Sequence, residues 1–306
     1  MLKGLIRELR LSSNGLTRRF YVTYPKIPHL LILARLDKPI GIYLLLWPTL
    51  WGLWFAAEGF PGWHLFLVFT LGTLFTRSAG CVINDIADMD IDGKVKRTVG
   101  RPLAQKQLSL NEAYAFLGFL LVCALLLVLT TNALTLMLAV AAVLIAGIYP
   151  LMKRYTYLPQ VVLGVAFSFG IPMAFAATTN EIPNLAWLLV TANVVWTVAY
   201  DTAYAMVDRD DDIKLGLKST AILFAELDKL MIGVLQLMFL GFMAMAYRLT
   251  DLNWPYLLGL GFAAALFLYQ QFLIKDRKRE LCFEAFLNNH WVGLVVFLGV
   301  IVQFGI

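Results

Sequence analysis

Residues 63–97 read WHLFLVFTLGTLFTRSAGCVINDIADMDIDGKVKR. From Trp63 to Ile86 the run is dominated by apolar residues and long enough to cross a bilayer, which takes about 20 residues of helix. Its far end nevertheless carries Asn84 and Asp85 and leads into Asp88, Asp90 and Asp92. Eight more apolar runs lie at 40–57, 112–130, 132–150, 159–178, 185–207, 221–247, 254–274 and 287–305. The whole chain of 306 residues is 60% hydrophobic and 15% charged, against roughly 25% charged in a soluble domain. Repeated runs of this length mean membrane spans rather than a large soluble core. Backbone groups in lipid must be satisfied within each span, so the predicted fold is all-α, a polytopic bundle of nine transmembrane helices.

The charges set the topology. Of 25 Lys and Arg residues, eight lie in residues 1–39 and fourteen in the loops after spans two, four, six and eight. The loops after odd-numbered spans hold almost no basic residue apart from Arg248. The positive-inside rule therefore puts the N-terminus and the charged loops in the cytoplasm. The net charge of +5 encodes that orientation and gives no sign of a nucleic-acid partner. Cys81, Cys123 and Cys282 have no paired spacing and read as small buried residues. At the N-terminus, MLKGLIRELRL places Leu2, Leu5, Ile6 and Leu9 on one helical face. That suits a helix lying on an anionic membrane surface, with a mitochondrial transit peptide as the alternative. Arg18-Arg19 resembles a twin-arginine signal, but a multispanning chain rather than a short cleavable segment follows it.

A second acidic cluster, YDTAYAMVDRDDDIKLGLKST at 200–220, ends span six as the first ends span two. Aligning Asp88 with Asp208 also aligns Asp92 with Asp212. With four spans between them the two motif helices run the same way, which points to a parallel repeat of spans one to four in five to eight.

Residues four apart share a helical face. Asn84, Asp88 and Asp92 form one stripe, which Arg77 continues into the membrane; Asp201, Asp208 and Asp212 form another, with Tyr204 between. Asp90, Asp210 and Asp211 read as solvated loop charges. Carboxylates four apart repel, and one at membrane depth costs roughly 2.5–3.5 kcal/mol on insertion scales. Two such stripes facing one cavity call for a cation. Oxygen donors without nearby His or Cys favour Mg²⁺, which binds one or two carboxylates and completes its shell with substrate phosphates. Arg101, Lys153, Arg154 and Lys218 near the motif ends are candidate diphosphate ligands. Arg77 lies about two turns inside span two, where a fixed guanidinium suits a substrate carboxylate or neutralises a neighbouring acid.

N84-D85-x-x-D88-x-x-x-D92 and D208-x-x-x-D212 resemble the two signatures of the UbiA-type membrane prenyltransferase superfamily. RLDKPIGIYLLLWPTLWGLW, GCVINDIADMDIDGKVKRTVGRPL, YPLMKRYTYLPQVVLG and AYDTAYAMVDRDDDIKLGLKSTAILF are similar to its 4-hydroxybenzoate polyprenyltransferase branch in ubiquinone biosynthesis. GRPLAQKQLS departs from the branch, which usually has Ser-Gly after the Pro. The resemblance covers 35–306 and leaves 1–34 as an N-terminal cytoplasmic or interfacial segment. It implies a nine-helix bundle with a central cytoplasm-facing cavity and a lateral opening to lipid, in the bacterial inner membrane or, as the alternative, the mitochondrial one. It implies Mg²⁺-dependent transfer of a polyprenyl group from its diphosphate to the ring carbon ortho to the hydroxyl of 4-hydroxybenzoate. Carried over by position, Asp88, Asp92, Asp208 and Asp212 hold Mg²⁺ with Asn84, while Asp85, Asp201 and Tyr204 support. Arg101, Lys153, Arg154 and Lys218 bind diphosphate, and Arg77 faces the aromatic acid. The rivals are another acceptor (naphthoate, homogentisate, haem or chlorophyllide) and a cation-coupled transporter, whose helices characteristically break near the bilayer midplane. A soluble isoprenyl diphosphate synthase with DDxxD motifs fails on the nine spans.

Overall fold

The computed structural model describes residues 24–93, 98–250 and 252–304. The amphipathic segment at 1–11, Arg18-Arg19, and Lys94, Lys96 and Arg97 lie outside them. All regular structure among the described residues is helical: α1 (Ile27–Leu33), α2 (Ile40–Ala57), α3 (Trp63–Ala87), α4 (Met89–Asp92), α5 (Leu110–Val128), α6 (Ala133–Tyr155), α7 (Pro159–Ser168), α8 (Gly170–Thr179), α9 (Asn184–Lys214), α10 (Thr220–Phe224), α11 (Asp228–Leu249), α12 (Trp254–Ile274) and α13 (Arg279–Phe304). Ala225–Leu227 form a short 3₁₀ turn. The chain divides into two compact units, Met1–Pro39 with Thr76–Val122, and Ile40–Phe75 with Cys123–Ile306.

Burial is inverted relative to a soluble protein. Phe119, Leu126, Met137, Leu144, Leu237, Phe262 and Leu268 are exposed, whereas Thr49, Gln160, Ser168, Asn193, Thr197, Gln236, Gln270 and Asn289 are buried. In water that pattern leaves apolar surface uncovered; against lipid it costs nothing, and several of the polar groups find partners inside. Gln236, Gln270, Gln271 and Asn288 do so in one chain of side-chain hydrogen bonds of 2.9 Å each.

Eight helical segments among the described residues are long and apolar enough to span a membrane. The sixth expected span, 185–207, is the first part of α9 and is not among them. Its polar residues explain the shortfall, because they face protein rather than lipid. Asn193, Thr197 and Thr202 are fully buried, and α9 touches α2, α7, α8, α10, α11 and α13. A helix wrapped by its own unit has no need of an all-round apolar surface. Trp196 at its middle stacks near Trp51 and donates to Asn289 Oδ1 at 2.9 Å.

Two predicted spans are irregular. The fifth is disturbed only at Phe169 between α7 and α8, where the backbone stays right-handed helical with φ of −60° and ψ of −27°. Pro172 has no N–H to return to the Ser168 carbonyl, and Gly170 lies so close to Thr49 that any Cβ would collide with it. Ser168 instead bonds through its hydroxyl to the Gly164 carbonyl at 2.7 Å and receives Asn193 Nδ2 at 2.9 Å. The seventh breaks at Ala225, whose φ of 48° puts it in the left-handed region. Span four runs past its predicted end to Tyr155, which sets Lys153 and Arg154 on the last turn of α6. There they complement the negative end of the helix dipole. At the other end Asn132 caps α6, accepting from Thr135 N at 2.9 Å.

Candidate active site

In the first unit, α3 ends at Ala87 and the short α4 follows directly. The expected stripe survives the junction because Asp88 N bonds to Asn84 O at 3.0 Å and Asp92 N to Asp88 O at 2.8 Å. Those are helix-type bonds, so Asn84, Asp88 and Asp92 keep one face. Asp88 and Asp92 are buried, Asn84 is half-buried, and the expected bystander Asp90 is exposed.

Asp85 is 1% exposed and is the hub of an ion cluster. Arg35 Nη2 donates to both its oxygens at 2.7 and 3.0 Å, and Arg101 Nη1 lies 3.0 Å from Oδ1. Arg101 Nη1 also reaches Asp92 Oδ2 at 2.7 Å. Thr98 Oγ1 donates to the Asp92 carbonyl at 3.0 Å, and Leu103 and Leu108 are buried, so the described residues from Thr98 onward are anchored at those positions. Burial pushes the Asp92 carboxyl above the usual carboxylate range, and the Arg101 guanidinium pulls it back part of the way. Asp85 thus holds the Arg101 guanidinium next to Asp92. Arg77 is half-buried within α3, and its Nη1 lies 3.1 Å from Cys81 Sγ, one turn further along.

Arg35 was missed by sequence reasoning. Its signal was present: a lone Arg immediately before Asp37, Lys38 and Pro39 at the mouth of the first span. Its φ of 58° turns the chain there, which frees its guanidinium to reach Asp85.

In the second unit, α9 carries the other stripe without a break. Asp201, Tyr204, Asp208 and Asp212 are half-buried, while the intervening Thr202, Ala203, Ala205 and Met206 are buried. The spacing therefore selects one partly accessible face, as expected. Tyr204 packs on Phe286 with ring centroids 4.6 Å apart. Asp210 is exposed, as expected of a solvated charge, with Arg279 3.0 Å away; Asp211 departs from that expectation, being half-buried with Arg279 at 3.4 Å, and both lie on α9 rather than in a loop. Lys218 is engaged locally: its N–H donates to the Lys153 carbonyl at 2.9 Å, its Nζ to the Tyr155 carbonyl at 3.2 Å, and it lies over the Tyr157 ring. That clasp joins the segment after α9 to the end of α6, where Lys153 and Arg154 sit. Asp228, Arg209 and Arg277, which sequence reasoning passed over, form a further cluster near the end of α9.

Among the described residues no three His, Cys, Asp or Glu side chains converge into a metal cage. The first stripe nevertheless offers two carboxylates and the second three, with no His or Cys in either. That donor set fits a hard cation of the Mg²⁺ type, which needs one or two carboxylates and shares the rest of its shell with phosphate and water.

The model of the UbiA prenyltransferase family matches residues 45–294. A relative from Colwellia psychrerythraea, named 4-hydroxybenzoate octaprenyltransferase, is 56% identical over 273 residues, covering 89% of this chain and 95% of its own length. One of the same name from Hahella chejuensis is 55% identical over 279 residues, covering 91% and 93%. Among solved structures, the apo UbiA homolog from Aeropyrum pernix K1 has a TM-score of 0.75 at 23% identity, covering 86% of this chain and 97% of that one. The UbiA homolog from Archaeoglobus fulgidus bound to GPP and Mg²⁺ has a TM-score of 0.69 at 18% identity, covering 88% and 99%. The structures share the fold, and the sequences carry the kinship. With the family model spanning most of its length and relatives more than half identical to it, the chain belongs to the UbiA prenyltransferase family.

Proposed function

We propose that this chain transfers a polyprenyl group from its diphosphate to the ring carbon ortho to the hydroxyl of 4-hydroxybenzoate, a step of ubiquinone biosynthesis. The kinship with relatives named for octaprenyl transfer to that acid carries the reading. The buried carboxylates of Asp88 and Asp92, with Arg101 alongside, supply the chemistry it needs. Naphthoate, homogentisate and haem acceptors lose ground against that kinship. The transporter rival expects a broken helix with acids near it, whereas span five keeps a helical backbone through Phe169, and Thr49, Ser168 and Asn193 around that point include no acid.

Asp88 and Asp92 in the one stripe, and Asp208 and Asp212 in the other, are the Mg²⁺ ligands, with Asn84 completing the first. Bound there, Mg²⁺ screens the negative charge that grows on the departing diphosphate. Arg101, Lys153 and Arg154 hold the diphosphate oxygens by charge-assisted hydrogen bonds. Asp85, with Arg35, keeps Arg101 in place. Lys218 contributes to the same group through its clasp on the Lys153–Tyr155 backbone. Arg77 binds the carboxylate of the aromatic acid.

The allylic C–O bond breaks with its electron pair leaving on diphosphate. The carbocation then attacks the electron-rich ring, which afterwards loses its ortho proton. Basic residues fixed in a water-poor site stabilise that ionisation without reorganising. Each buried CH₂ of the tail contributes about 0.8 kcal/mol, which keeps the prenyl substrate in the bilayer. The protein sits in the bacterial inner membrane on this reading, and the basic-residue distribution supports a cytoplasmic N-terminus and cytoplasmic motifs.

The test is incubation of membranes with 4-hydroxybenzoate, a polyprenyl diphosphate and Mg²⁺, with EDTA as control. Product is expected with Mg²⁺ and abolished by EDTA. Asp88→Ala and Asp208→Ala are each expected to abolish turnover while the protein stays folded in the membrane. Near-normal turnover in either variant refutes the ligand assignment.

A further inference from the structure

The last buried residue of α9 is Met206. Asp208 and Asp212 therefore stand on two turns of helix that no buried side chain of their own secures, yet ligands of a metal must hold their geometry. Polar tethers take the place of packing there. Arg279 takes Asp210 and Asp211, and Arg209, the residue after Asp208, points its Nη1 at Asp228 Oδ2 at 3.5 Å.

Asp228 opens α11 and is completely buried. Arg277 grips it with Nε at 3.1 and 3.0 Å and Nη2 at 2.9 Å, and the backbone N–H of Lys229 donates to it at 2.7 Å. Arg277 is fixed in turn by the Glu226 carbonyl at 2.7 Å and the Glu226 carboxylate at 3.2 Å. Both chain segments that make the pair are bent through the left-handed region at non-glycine residues, with φ of 48° at Ala225 and 52° at Arg277. A side chain beyond glycine makes that conformation strained. A buried ion pair is itself a weak source of stability, since apolar residues of the same volume serve as well. A costly pair held by two strained turns is better explained by what it orients.

We propose that Asp228 is a positioning residue. With Arg277 it forms a rigid buried anion that tethers Arg209, and through Arg209 it fixes the turn of α9 bearing Asp208 and Asp212. The inference rests on the reading that those two aspartates hold the divalent cation.

Binding of Mn²⁺, read by its EPR signal on the purified full chain with inorganic pyrophosphate present, tests it apart from turnover. The charge-neutral double variant Asp228→Asn/Arg277→Gln removes the anchor without stranding a buried charge. Arg209→Gln cuts the tether alone. Both are expected to weaken Mn²⁺ binding about tenfold, the scale seen when the groups that orient metal ligands are removed. The sign for Arg209→Gln is decisive, because removing a positive charge beside a metal ligand tightens binding if Coulomb attraction alone is at work. Mn²⁺ binding at or above the wild-type affinity in Arg209→Gln overturns the proposal, provided Asp208→Ala abolishes binding. If Asp208→Ala binds Mn²⁺ normally, the ligand reading falls and this inference falls with it. Thermal unfolding in detergent confirms that the variants are folded, and Arg209→Gln, at a partly exposed site, keeps the test alive if the double variant is not.

Discussion

Asp85→Ala is expected to destabilise the protein by about 3 kcal/mol, although Asp85 is proposed to touch neither metal nor substrate. Removing one partner of a buried ion pair costs about 3–5 kcal/mol, because the remaining charge is stranded. Here the Arg35 guanidinium is stranded, keeping the Ile32 carbonyl at 2.9 Å, while Arg101 loses one of its two carboxylates and keeps Asp92 at 2.7 Å. Their side chains retain 24% and 14% exposure, so water recovers part of the loss. That places the effect at the lower end of the range. Reversible unfolding by SDS in mixed micelles measures it, with Asp90→Ala, an exposed neighbour, as the control expected within about 0.5 kcal/mol of wild type. A double variant Asp85→Ala/Arg35→Gln removes the stranded charge and is expected to recover more than half of the deficit, a non-additivity that independent contacts do not show. If Asp85→Ala unfolds with the Asp90→Ala control, the cluster is not the support described.

Arg77→Ala is expected to raise the KM for the aromatic acid by about tenfold or more, the value of a charge-assisted hydrogen bond, and to leave that for the prenyl diphosphate unchanged. An unchanged acid KM returns Arg77 to a structural role beside Cys81. Gly259→Val acts on packing alone. A Cβ at Gly259 sits 2.8 Å from the Val295 carbonyl and 3.2 Å from Gly299 Cα, so α12 and α13 must part. The same unfolding assay is expected to report a loss of about 1–3 kcal/mol, and wild-type stability refutes the close approach.

Much of the architecture was legible because lipid imposes a simple rule: long apolar runs become helices. The rule fails in informative places. Polar Asn193, Thr197 and Thr202 lower the hydropathy of α9 because its neighbours are protein, which sequence reveals only as an imperfect span. The irregularities at Phe169 and Ala225 depend on a proline, a glycine against Thr49 and a left-handed alanine, none of which interrupts an apolar count. In the site, four-residue spacing predicted the stripes, since helical periodicity is local. The partners were not legible: Arg35 with Asp85, and Arg277 with Asp228, are about 50 residues apart in sequence, and only folding brings them together. Asp228 did leave a trace, as an acid inside the predicted seventh span, where ionisable residues are functional candidates by default. Lys218 read as one more cation by the site, and its use on backbone carbonyls follows from a turn that spacing does not encode.

The length of α9 has a consequence of its own. Its 31 residues extend about 46 Å at 1.5 Å per residue, against a hydrocarbon core of about 30 Å. Counted from Asn184, a core of that thickness laid along the rod would end near Tyr204, with Asp208 and Asp212 roughly 6–12 Å beyond it. Acyl-chain length is therefore a tuning variable for this protein. Thicker membranes draw the carboxylates toward the oil or force the rod to change tilt, and thinner ones lift them away from a prenyl tail that stays behind. Lipid thickness and carboxylate placement are two ends of one ruler.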